Sequence, residues 1–151
     1  AIKTFTQKVD WKDLDFIIVD MPPGTGDTQL TFAQEIKIDG IIIISTPQEL
    51  ALQDVKRGIS MFDKLKVNII GLVDNMSYFI GDDGKRYSIF GDGGVKKTAE
   101  EFNKNFLGEI PINSDIGKFG DQGTPIVEKF PDHEISKIYT DFANKLKSQF
   151  I

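Results

Sequence analysis

The 151-residue chain contains no cysteine, one histidine and one tryptophan. Without cysteine it forms no disulfide, offers no thiolate to a metal and has no sulfur nucleophile, which fits a reducing compartment. A basic surface is missing too: 18 Lys and Arg stand against 23 Asp and Glu, a formal net charge of −5. Phosphate backbones are bound by clustered Lys and Arg, so no nucleic-acid partner is expected. No apolar run approaches the roughly 20 residues of a membrane span, and the opening AIKTFTQKVDW lacks the apolar core and flanks of a secretory signal. The expectation is a cytoplasmic protein without a membrane partner. Also missing is any Gly-x-x-x-x-Gly-Lys-Ser/Thr, the loop that wraps phosphates with backbone amides and a lysine.

What the sequence does contain is enough apolar material, 40% of its residues, for one compact core. Four short runs stand out: FIIVD (16–20), GIIIIST (40–46), VNIIGLVDN (67–75) and FLGEIP (106–111). Near-continuous apolarity suits strands covered on both faces, the habit of parallel sheets. Helical patterns alternate with them. Thr46 stands three residues before Glu49, with Pro47 between, and predicts a capping box at a helix start. Leu52, Val55, Ile59 and Phe62 then recur at helical spacing, as do Val95, Ala99, Phe102 and Phe106, and later Ile135, Ile138, Phe142 and Leu146. The pattern predicts an α/β fold, a three-layer sandwich with a mainly parallel sheet. One stretch breaks the rhythm: SYFIGDDGKRYSIF, about 77–90, alternates around Asp82-Asp83-Gly84 and predicts a β-hairpin insertion.

Ligands of parallel α/β sheets bind beyond the carboxyl ends of the strands, where Asp20 would sit in DFIIVDMPPGTGDTQLT. A carboxylate there can hold Mg²⁺ through water. Pro22 and Pro23 remove two amide donors, while Gly24 keeps its N–H and has no Cβ to obstruct a phosphate. The spacing suits a γ-phosphate sensor. It equally suits a strand followed by a rigid turn.

The full wording is more specific. LDFIIVDMPPGTGDTQLTFAQ closely resembles the switch II segment of the Mrp/ApbC family of P-loop ATPases, and the resemblance continues through IIIISTPQELALQDVKRGISMF, GLVDNMSYFI and FLGEIPINSDIGKFGDQGTPIV. That family looks like iron–sulfur cluster carriers and belongs to the deviant-Walker group of dimeric ATPases with MinD, ParA and the nitrogenase iron protein. The resemblance implies ATP and Mg²⁺ as cofactors, a homodimer and iron–sulfur client proteins. It implies that Asp20 is the Walker B acid near Mg²⁺ and Gly24 the switch glycine at the terminal phosphate, the catalytic pair. Asn75 would hydrogen-bond adenine, since an amide offers both donor and acceptor to a purine edge. Pro111, Ile112 and Asp115 would lie in the loop that borders the ring. Because the match begins partway through the family's domain, residues 1–151 are expected to be the C-terminal portion of a single P-loop ATPase domain, with the phosphate loop upstream. The intact protein would be an ATPase and this chain alone inactive. The strand leading into that loop would lie between 16–20 and 40–46. Its place is expected to be closed by direct pairing, by another strand or by a bound upstream segment.

The hairpin departs from the family, which commonly carries Cys-x-x-Cys there; this chain reads FIGDDGKRY. Asp82 and Asp83 are hard oxygen donors, unsuited to an iron–sulfur cluster, so no thiolate-bound cluster is expected on this hairpin. GDGGVKKT reads as a helix start rather than a phosphate loop, and His133 in PDHE as a surface residue. The C-terminal amphipathic stretch reads as a sheet-covering helix rather than a membrane anchor. Two other functions fit the same residues: a positioning ATPase of the MinD/ParA type, and a non-enzymatic interaction module.

Overall fold

The computed structural model describes residues 8–24 and 26–150. Residues 1–7 of the stretch read for a signal, Thr25 of the glycine-proline loop and the last residue lie outside them. Helix α1 spans Asp27–Glu35, strand β1 Ile41–Ser45, α2 Glu49–Lys64 and β2 Ile69–Asn75. A short antiparallel pair follows, β3 Phe79–Ile80 with β4 Arg86–Tyr87. Then come α3 Gly94–Glu101, β5 Phe106–Ile110, α4 Ser114–Asp121, α5 Ile126–Lys129 and α6 Glu134–Phe150.

Strands β1, β2 and β5 form one parallel sheet in the order β1-β2-β5. The strands are the apolar runs read from the sequence, and β2 is the most buried, with every residue from Ile69 to Asp74 inside. Side chains leave a strand to alternate faces, and with the register shifts along its ladders β2 feeds two cores. On one face Ile69 and Leu72 meet Leu52, Val55 and Ile59 of α2 and Val95 and Ala99 of α3. On the other, Ile70 and Val73 join Leu107 and Ile110 of β5 under Ile138, Phe142 and Leu146 of α6. Helices cover both faces, the three-layer arrangement expected of a parallel sheet. The stripes of α2 and α6 match those read from the sequence. In the middle stripe Val95 and Ala99 lie on α3, but Phe102 is already its C-cap and Phe106 opens β5.

Three local expectations give way. Residues 16–20 form no strand: the run lies outside the sheet, and Ile18 is 82% exposed. A buried strand needs a paired neighbour for its amides and carbonyls and helices over both faces; among the described residues β1 pairs with β2 alone, and no strand on its other edge links 16–20 to the sheet. Among the described residues none of the three ways of closing the edge of β1 occurs. The capping box is also absent: α2 starts at Glu49 after Gln48, with no side-chain cap, and the Thr46 hydroxyl donates to Gln48 Oε1 at 3.4 Å instead. His133 is more than a surface residue, because its Nδ1 accepts from the Ile135 N–H at 3.2 Å and so caps α6.

Close approach between α6 and the sheet depends on Gly108, which has φ +146°. A Cβ there would stand 2.8 Å from the Phe142 ring. Lys145 of the same helix donates to the Leu107 carbonyl at 2.8 Å. Gly108→Ala should therefore cost on the order of 1–3 kcal/mol in chemical denaturation, the range for forcing atoms into a packed core; Gly117→Ala, where nothing lies within 4 Å, serves as the control and should change little.

Candidate nucleotide site

The carboxyl ends of β2 and β5 meet in register: Asn75 is the partner of Ile110. Met76 then turns with φ 53°, and Ser77 is tied back to β5, since both its N–H and its hydroxyl donate to the Ile110 carbonyl, at 3.0 and 3.1 Å. The Ile112 N–H donates to the Tyr78 carbonyl at 2.7 Å. These bonds hold half-buried Asn75 beside buried Pro111 and partly buried Ile112 at the ligand-binding end of the sheet. Asp115 stands in the first turn of α4, where its N–H is taken by the Asn113 side chain at 2.8 Å. Asn113 was not singled out in the sequence, although an Asn two residues ahead of an acid is a familiar N-cap signal.

Asp20 and Gly24 lie elsewhere, on the segment that precedes α1, and both are exposed. Gly24 has φ +95° with open space around it, so its conformation rather than crowding calls for glycine. The proline turn is not free, however. Buried Gln29 of α1 reaches back seven residues and its Nε2 donates to the carbonyls of Pro22 and Pro23, at 2.5 and 3.3 Å. Prolines remove donors but leave acceptors, and an amide donor inside the next helix supplies what the turn needs. Nothing in the hydrophobic pattern pointed to Gln29, which stands between Thr28 and Leu30 in DTQLT.

For an adenine the chemistry of the residues fits: an amide can meet a purine edge, and a proline and an aliphatic side chain can meet its face. For Mg²⁺ Asp20 offers a single exposed carboxylate, enough for an ion held largely through its own water. For an iron–sulfur cluster the donor set does not fit. No cysteine exists in the chain, and among the described residues no three His, Cys, Asp or Glu side chains gather as a metal site. Asp83 is occupied within the hairpin, accepting from the Lys85 N–H at 3.0 Å and the Tyr87 hydroxyl at 2.8 Å, which holds its carboxyl below the usual range.

One group near this end was missed altogether. Asp74, immediately before Asn75, is fully buried, and neither carboxylate oxygen has a hydrogen-bond partner. Burial first, and then the neighbouring Glu109, push its carboxyl up to about 6.

Over residues 1–147 the chain matches the family described as ParA: NUBPL iron-transfer P-loop NTPase. It is 46% identical over 147 residues to the Arabidopsis thaliana iron–sulfur protein required for NADH dehydrogenase, covering 97% of this chain and 47% of that protein. To the Salmonella typhimurium iron–sulfur cluster carrier protein it is 42% identical over 150 residues, covering 99% and 41%. The chain thus spans less than half the length of these relatives. Among solved structures, a nucleotide-binding protein of Archaeoglobus fulgidus in complex with ADP superimposes with a TM-score of 0.73 at 41% identity, over 81% of this chain and 51% of the other.

Two outcomes are expected from this geometry. Gln29→Leu should release the proline turn, raising hydrogen exchange around Gly24 and Gly26 while the exchange of β2 amides stays unchanged. Asp74→Asn should stabilise the protein at pH 7.5 by on the order of 1–2 kcal/mol after solvent screening is allowed for. The sign follows from the raised value: the native state favours the protonated acid, so stability is highest below about 4 and falls as pH rises through about 6. Denaturation midpoints of the two proteins should converge toward pH 4.

Proposed function

The chain belongs to the ParA-like NUBPL iron-transfer P-loop NTPase family, and from that premise we propose that it supplies the base-binding and switch portion of an ATP-dependent factor in iron–sulfur cluster assembly or transfer. The observation that carries this reading is the register of β2 with β5, which pairs Asn75 with Ile110, the residue just before Pro111 and Ile112. Asn75 reads the adenine edge through its amide, Pro111 and Ile112 wall the ring, and Asp115 stands at the first turn of the following helix. The ADP held by the Archaeoglobus relative supports a nucleotide of this type.

Hydrolysis is part of the proposal. Asp20 would hold the water shell of Mg²⁺, and the ion, when bound, neutralises charge on the phosphates. The Gly24 N–H would donate to the terminal phosphate. The Gln29 clamp on Pro22 and Pro23 makes the segment 20–24 a unit that can be held or released as a whole, which is what a nucleotide switch needs. A phosphate-wrapping loop with its lysine must come from outside these 151 residues, so the chain by itself should turn over no ATP. A homodimer and iron–sulfur client proteins belong to the same proposal.

The cluster is cargo in this reading, and the chain contributes no thiolate to it. Contact with the cluster through this hairpin in the manner of a Cys-x-x-Cys pair is excluded by the residues present. A membrane-positioning role finds no support in α6, whose apolar stripe is spent on the sheet and on Phe119 and Ile126; among the described residues no helix is long and apolar enough to cross a membrane.

The test uses a protein containing this chain together with a phosphate-binding loop. Asn75→Ala should weaken ADP binding by about tenfold, the worth of one or two hydrogen bonds, and should narrow the preference for ADP over GDP in calorimetric titration. Asp20→Ala should abolish Mg²⁺-dependent turnover with little effect on nucleotide affinity. Unchanged base preference in the Asn75 variant would remove the adenine role, and full turnover in the Asp20 variant the metal role.

A further inference from the structure

Among the described residues Asp74 is the one whose buried side chain lacks any hydrogen-bond partner. It is fully buried at the end of the central strand, and its two oxygens meet no donor. Its cross-strand partner on β5 is Glu109, so the two carboxyl groups emerge on the same face of the sheet at the spacing of neighbouring strands, ~4.8 Å. Glu109 is engaged: Arg86 donates to it through both terminal nitrogens, at 2.8 and 3.0 Å. Arg86 belongs to β4, and its guanidinium also lies 4.0 Å over the Tyr78 ring. It therefore fastens the hairpin to the sheet, in addition to the backbone bonds at Ser77 and Ile112.

The site thus holds two carboxyl groups and one guanidinium. The charged groups that act on Asp74 are Glu109 from β5, Arg86 from β4 and Asp92 from the loop before α3. Its partner on β1 is Ser45, whose hydroxyl is turned to the Thr46 carbonyl at 3.1 Å. The faces that α2 and α3 turn to the sheet are apolar, with Leu52, Val95 and Ala99. An ionised Asp74 in this setting has no donor to stabilise it, and a buried charge without a partner is costly. The nearest relief is the guanidinium already present on Glu109, because a bidentate fork can be shared or re-aimed between two carboxylates.

We propose that Asp74, Glu109 and Arg86 form a proton-gated latch for the hairpin. With Asp74 protonated, Arg86 is committed to Glu109 and the hairpin is fastened to β5. When Asp74 gives its proton to solvent, the new carboxylate competes for the guanidinium, and the fastening moves from β5 toward β2. Burial of Asp74 sets the transition close to neutral pH rather than in the ordinary carboxylate range. The hairpin rides on Arg86, so its exposed apolar residues Phe79, Ile80 and Tyr87 change their presentation with pH.

The experiment follows the Asp74 carboxyl carbon and the Arg86 side-chain nitrogens of the whole chain by NMR as pH is varied. The latch requires a common midpoint near 6, with hairpin amides moving at the same pH, and loss of the Arg86 transition in Asp74→Asn. Glu109→Gln provides the second arm. It should leave Arg86 with Asp74 alone, so that its signals at neutral pH match those of the unsubstituted chain at the high-pH end of its titration. The proposal is overturned if Asp74 titrates while Arg86 and the hairpin stay still, or if the Arg86 transition survives in Asp74→Asn. It is equally overturned if Arg86 in Glu109→Gln gives the signals of a free, solvated guanidinium. Should Asp74→Asn fail to fold, the coincidence of midpoints in the unsubstituted chain and the Glu109→Gln comparison still decide the matter.

Discussion

The parallel ladder along β2 is the constraint on which the rest of the structure depends. Six consecutive residues of this strand are buried, and each face of it seeds a core: Leu72 under α2 and α3, Val73 under α6. The ladder to β5 also decides what stands at the ligand end, because pairing Asn75 with Ile110 brings the segment after β5 beside the segment after β2. A slip of one residue would turn every side chain to the opposite face. It would bury Asn75 in a core and push an aliphatic side chain to the mouth of the sheet.

The same ladder explains why polar chemistry collects where it does. Parallel strands buried on both faces tolerate few polar groups, and those that occur sit at strand ends. Ser45, Asp74 and Glu109 share one row across the three strands at that end, with Arg86 closing it from the hairpin. The hairpin is thus a mechanical extension of the sheet's carboxyl end. The chain matches a family described by iron transfer but contains no cysteine, so whatever its hairpin contributes rests on position and contact.

Much of this was legible in the sequence, and the failures have physical reasons. The runs at 41–45, 69–75 and 106–110 read as buried strands because continuous β-branched apolarity has few other uses, and they are strands. Residues 16–20 carry the same pattern, yet a pattern states only a demand for burial; pairing requires a strand alongside, and among the described residues none joins 16–20 to the open edge of β1. The Thr46–Glu49 box failed because Thr46 found Gln48, a competing acceptor two residues away. Helix α1 was overlooked because DTQLTFAQE has no clear apolar stripe, and its one buried residue is the polar Gln29. The Arg86–Glu109 fork joins residues 23 positions apart, a pairing that only the β2–β5 register makes possible. The placement of Asn75 and Pro111 at strand ends could be read directly, since each closes an apolar run.

The central claim is that a nucleotide base sits at the carboxyl end of β2 and β5. The most direct measurement is intermolecular NOE spectroscopy of the protein with MgADP, selectively labelled at isoleucine methyls and asparagine side-chain amides. The account predicts contacts from the adenine H2 or H8 proton to the Ile112 methyl groups and to the Asn75 amide. Contacts instead to the groove between α1 and α2, lined by Leu30 and Met61, with Ile112 and Asn75 unaffected, would contradict it.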